Sequence, residues 1–180
     1  MRIAILALQG AFDEHRQMLT RLGVESFLVR NLSDWQQPKD GLIIPGGEST
    51  AMMKIMRDEG LFTPIRDAIL GGLPVFGTCA GMILLDDQHL ACMDITARRN
   101  AYGRQLGSFH TVAPMSDVGQ VPMVFIRAPF IERQGADVQP LATVDDRLVA
   151  ARQRHMLVCA FHPELTSDTS VHSYFLGMIR

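Results

Sequence analysis

Apolar residues fall along the first half of the chain in short, nearly continuous runs separated by helically spaced ones. Arg2 to Leu8, Gly41 to Pro45 and Pro74 to Gly77 have the pattern of strands buried on both faces of a parallel sheet. Asp13 to Leu22 places Met18, Leu19 and Leu22 at helical spacing and stops at Gly23, a normal helix terminator. Ser26 to Val29 predicts a second strand and Ser33 to Lys39 a polar connection. Thr50 to Arg57 and Phe62 to Leu70 predict helices, ended by Gly60 and by Gly71-Gly72. This alternation predicts an α/β fold, a doubly wound, mostly parallel sheet with helices on both faces.

Beyond residue 105 the runs shorten and become β-rich: Ser108 to Ala113, Val121 to Arg127, Leu141 to Val144, Arg147 to Ala151 and Met156 to Phe161. They predict added antiparallel strands in the second half. Val171, Tyr174, Phe175, Met178 and Ile179 then describe an amphipathic closing helix, with Asp168 placed to cap it.

At 180 residues one core suffices, so a single domain spanning 1–180 is expected. A net charge of -2 without a long basic cluster leaves nucleic acid no electrostatic hold. No apolar run approaches the length of a membrane span, and the N-terminal one is too short for a signal peptide, so a cytoplasmic protein is expected. Cys79, Cys92 and Cys159 are odd in number and lack metal-ligand spacing. They predict neither disulfides nor a metal site, and no cofactor is called for.

The question becomes whether one thiol is reactive. Gly77-Thr78-Cys79-Ala80-Gly81 follows a predicted strand and precedes the apolar stretch Met82 to Leu85, which is the form of a nucleophile elbow carrying cysteine. A thiol at a helix start is favoured as thiolate. Cys92 and Cys159 lack this frame and read as structural. Phe161-His162-Pro163-Glu164 supplies a base and a carboxylate two residues apart at a strand end, on one side of the chain, so Glu164 can orient His162 while the ring faces Cys79. The other histidines read as surface or packing residues, with His15 and His172 solvated on their helices. Pro45-Gly46-Gly47-Glu48-Ser49-Thr50 has no P-loop lysine. Its backbone amides, with that of Ala80, are candidate oxyanion donors.

Assembled, these segments resemble the class I, triad-type glutamine amidotransferases, and among them the glutaminase subunits of pyridoxal 5'-phosphate synthases. The resemblance rests on Leu6 to Ala11, Pro45 to Thr50, Gly77 to Met82, Arg99 to Gln105, Phe125 to Pro129 and Phe161 to Leu165. It implies that Cys79 attacks the glutamine side-chain amide, releasing ammonia and leaving a glutamyl thioester for water, with His162 and Glu164 completing the triad. It further implies glutamine binding by Gly46, Gly47, Glu48, Arg99, Ile126 and Arg127, with Gln9 organising the oxyanion loop of Gly47 and Ala80. It implies a (β/α)₈ synthase partner that receives the ammonia, in an assembly of twelve copies of each chain. An amidotransferase subunit of another pathway, or a partner-free cysteine hydrolase, is the alternative. The stretch Asp86 to Ala97 is shorter than the family's usual length, and Arg98 stands where an acidic residue is usual.

Overall fold

Four strands whose residues are all or nearly all buried form the centre of one sheet in the computed structural model, which describes residues 1–99 and 108–179. They are β1 (Arg2–Leu6), β3 (Gly41–Ile44), β4 (Val75–Thr78) and β11 (Met156–Cys159). Burial on both faces explains why each reads as an unbroken apolar run. With β2 (Glu25–Val29) they make a parallel array in the order β2-β1-β3-β4-β11. Beyond β11 the sheet turns antiparallel through β10 (Arg147–Gln153), β8 (Phe130–Gln134) and β5 (Ile95–Arg98), with β9 (Gln139–Val144) also on β10. A separate hairpin pairs β6 (Phe109–Met115) with β7 (Gly119–Phe125).

The helices divide between the two faces. Phe76 and Thr78 leave β4 on one side, where they meet His15 of α1 (Phe12–Arg21) and His172 and Phe175 of α6 (Ser170–Gly177). Gly77 leaves it on the other, against α5 (Ala80–Leu85), which packs with α3 (Ser49–Asp58), itself beside α4 (Phe62–Leu70). The doubly wound α/β expectation therefore holds, with the antiparallel extension in the second half. Among the described residues no helix is long and apolar enough to cross a membrane.

Several boundaries differ from the sequence reading. The polar connection contains a helical turn, α2 (Leu32–Trp35), because Asn31 accepts the Asp34 amide and caps it. Strand β7 stops at Phe125, and Ile126 and Arg127 bend away, with Arg127 at φ 45°. Asp168 does accept the Ser170 amide at 2.7 Å, one residue before the cap position. Strands β5 and β8 were not expected. They are short and partly exposed, and Arg98 of β5 pairs across to Glu132 of β8 at 2.6 Å, which accounts for its charge as a sheet contact. The short 86–97 stretch wraps on Asp86. That buried carboxylate accepts the Gln88 and Ala97 amides and binds His89.

The expectation that His15 and His172 are solvated is corrected. Both are fully buried and meet ring to ring. His15 precedes Met18, Leu19 and Leu22 by three, four and seven residues, so it belongs to the apolar face of its helix.

Candidate active site

The carboxyl ends of β1, β3, β4 and β11 lie side by side, around the point where the sheet's winding reverses, and each is followed by a segment that contributes to the site. After β4 the chain makes a sharp elbow. Cys79 sits at φ 52°, ψ -108°, a strained conformation for a residue with a side chain. Both flanking glycines are required by close approach. A Cβ on Gly77 would strike the Gly81 carbonyl, and one on Gly81 would strike the Ile44 carbonyl of β3. The elbow is anchored by the Cys79 amide donating to the Cys159 carbonyl at 2.8 Å. Ala80 is the first residue of α5, so its amide has no acceptor within the helix.

After β11, His162 is fixed by its amide donating to Val124 and enters the turn Pro163–Leu165, which brings Glu164 back beneath the ring. His162 Nδ1 lies 2.6 Å from Glu164 Oε2, and the ring also hydrogen-bonds Cys79. Burial opposes the imidazolium, but the hydrogen bonds to Cys79 and Glu164 and the charge on both outweigh it and raise the His162 pKa to about 10. That shift favours a proton on the His162 ring. Burial raises Cys92 to about 11 and lifts Cys159 well above its ordinary value, the second helped by the charge of Glu164, so neither is a ready nucleophile.

The loop after β3 closes the site from the other side. A Cβ on Gly46 would collide with the His162 ring and crowd Cys79, so only glycine fits there. The Gly46 carbonyl accepts the Ala11 amide at 2.9 Å, and Gln9 Oε1 accepts the Glu48 amide at 2.6 Å, which ties this loop to the one after β1. The Glu48 carboxylate caps α3 through the Ala51 amide. Gln9, Gly46, Gly47, Glu48, Cys79, Ala80, Arg99, Ile126, Arg127 and His162 all line one cleft of about 540 Å³. Glu164 stands behind it, fully buried. The Arg99 guanidinium donates to Thr50 at 3.3 Å, and the Ile126 carbonyl lies 3.9 Å from Cys79 Sγ. Residues 100–105 of the Arg99 segment lie outside the described residues.

A profile of the SNO glutamine amidotransferase family matches residues 5–180. The chain belongs to that family. It is 56% identical, over all of its length and 98% of the relative's, to "Pyridoxal 5'-phosphate synthase subunit PdxT" of Streptococcus pneumoniae strain CGSP14. It is 55% identical at the same coverage to the protein of that name from strain ATCC 700669 / Spain 23F-1. A solved structure described as a glutamine amidotransferase superposes with a TM-score of 0.92 at 40% identity, covering 98% of this chain and 97% of that one. PurLQS from Thermotoga maritima, at a TM-score of 0.69 and 16% identity, shares the fold.

Within this amidotransferase the residues missed from sequence are those behind the triad. His15 faces Glu164 and also touches Thr78, and the burial of both depends on α1 and α6 folding over β4. The helical register of His15 was the available signal.

Proposed function

We propose that this glutamine amidotransferase is the glutaminase component of a pyridoxal 5'-phosphate synthase, acting through Cys79, His162 and Glu164. The Cys79 thiolate forms a bond to the side-chain carbonyl carbon of glutamine. The oxygen takes the negative charge and is met by the Gly47 and Ala80 amides, each such donor contributing about 3 kcal/mol in comparable enzymes. When the C–N bond breaks, the proton held on His162 passes to the departing nitrogen and ammonia leaves, with a glutamyl thioester on Cys79. Water then gives its proton to His162 and its oxygen to the thioester carbon, so the C–S bond breaks and glutamate departs. Glu164 holds the ring through both steps. Gln9, by retaining the Glu48 amide, keeps the Gly46-Gly47 loop in place.

Glutamine is held by Gly46, Gly47, Glu48, Arg99, Ile126 and Arg127. The two guanidinium groups at the cleft suit its α-carboxylate. Residues 1–180 act as one domain, a reading supported by the one sheet whose strands β1, β3, β4 and β11 lead into Gln9, Gly46-Gly47, Cys79 and His162. The ammonia passes to a (β/α)₈ synthase subunit in a cytoplasmic complex of twelve and twelve chains.

The observation that carries this reading is His162 placed between Cys79 and the buried Glu164 at the floor of the cleft. The test is ammonia release from glutamine by the chain alone and mixed with a candidate barrel subunit. Low activity alone, a marked rise on mixing and loss in Cys79→Ala and His162→Asn are expected. Equal activity with and without the barrel overturns the partner assignment.

A further inference from the structure

The buried carboxylate of Glu164 is only half accounted for by the triad. Its Oε2 binds His162, while Oε1 is buried and has no hydrogen-bond partner among the described residues. The group facing Oε1 is His15 Nε2, at 3.6 Å. That nitrogen also lies 3.2 Å from the Thr78 hydroxyl, one residue before the nucleophile, and His15 Nδ1 lies 2.9 Å from His172 Nε2. Phe76 packs edge-on against both rings and restricts their rotation.

Burial keeps the pair uncharged. It lowers His15 well below the usual imidazole value, with the nearby His172 and His162 adding to the effect, and it lowers His172 to about 4. Each ring then carries one N–H, and their contact holds one hydrogen. If His15 Nδ1 supplied it, the Nε2 lone pair could accept the Thr78 hydroxyl but would also face a carboxylate, and the buried His172 Nδ1 would carry a stranded N–H, since that atom has no partner among the described residues. If His172 Nε2 supplies it, His15 Nε2–H points at Thr78 and Glu164, and only a bare lone pair is left over. The second arrangement is electrostatically consistent throughout.

We propose that His15 is a positioning residue for the triad. Oriented by the His172 Nε2–H, it turns its Nε2–H toward the inner oxygen of Glu164 and so keeps the outer oxygen on His162. This rests on the glutaminase reading and extends it inward by two residues. Two uncharged, buried histidines make poor core material where apolar side chains would fit, and their use here follows from the carboxylate that His15 faces and the ring that His172 orients.

The titratable groups around Glu164 are Cys159 at the end of β11, His162 and His15 of α1, with Cys79 beyond His162 and His172 of α6 beyond His15. Any pH shift is therefore read against variants of His15 alone. Ammonia release by the complex with the barrel subunit is measured across pH for wild type, Cys79→Ala, His15→Leu and His15→Gln. The first two report the glutaminase reading, so its failure appears before the His15 variants are compared.

His15→Leu is expected to lower kcat about tenfold or more, with KM within about twofold, and to move the alkaline limb of kcat to lower pH. His15→Gln, whose amide N–H reaches the Nε2 position, is expected to restore most of the rate and the limb. Wild-type kcat and pH profile in His15→Leu would overturn the proposal. Nitrogen NMR of the unmodified protein is the second arm and needs no variant to fold. A hydrogen on His15 Nε2 is expected, and one on His15 Nδ1 would overturn it.

Discussion

A single methyl on Gly46 would occupy the space of the His162 ring. Gly46→Ala is expected to lower kcat at least about a hundredfold while shifting Tm by only a few degrees, since the displaced groups are the reacting ones. Steady-state kinetics beside a thermal melt checks this. Glu164 sets a different property. His162 must carry a proton to release ammonia, so kcat falls as pH rises through its pKa. That pKa is raised against the opposing effect of burial by hydrogen bonds and charge from Cys79 and Glu164. Glu164→Gln removes one of the two supports, and the alkaline limb should move toward lower pH by about one unit or more. An unmoved limb would show that the carboxylate does not set the charge of the ring. The nucleophile and base were legible in the sequence because each sits in a short motif at a strand end. The inner histidines were not, because their environment is made by three elements distant in the chain.

Elements α1 and α6 meet over β4 through buried histidines, and this has a cost in acid. Both folded-state pKa values lie below the unfolded value of 6.5, His172 at about 4, so below pH 6.5 the unfolded chain takes up protons that the native one refuses. Stability present above pH 6.5 is therefore lost as pH falls toward 4, by about 2 kcal/mol for His172 between pH 7 and 5, with His15 acting in the same direction. Urea midpoints at the two pH values test this, and His172→Phe should shrink the difference. The 86–97 turn depends on Asp86 in another way. Asp86→Ala leaves the Gln88 and Ala97 amides without their acceptor and should cost about 3 kcal/mol, read as a drop in urea midpoint without a change in slope. The central strands were readable because double-sided burial leaves an unbroken apolar run. Strands β5 and β8 carry exposed charge and few residues, so their pairing is decided by the sheet edge they join.

On the scale of the whole molecule, four loops from four parallel strands converge on one cleft, and the order β2-β1-β3-β4-β11 brings the segments after Leu6, Ile44, Thr78 and Cys159 together. The alternation of strands and helices was enough to place Cys79 and His162 at the same sheet edge. The strand order itself was not readable, because it depends on crossovers that local patterning does not encode. The account stands on Cys79 being the atom that receives the glutamyl group. Acid-quenched mass spectrometry of the complex, caught within the first turnover with glutamine, tests that directly. A mass increase of one glutamyl group on the peptide carrying Cys79, absent from Cys79→Ala, is predicted. Ammonia release with no adduct, or with the adduct on another residue, would contradict it.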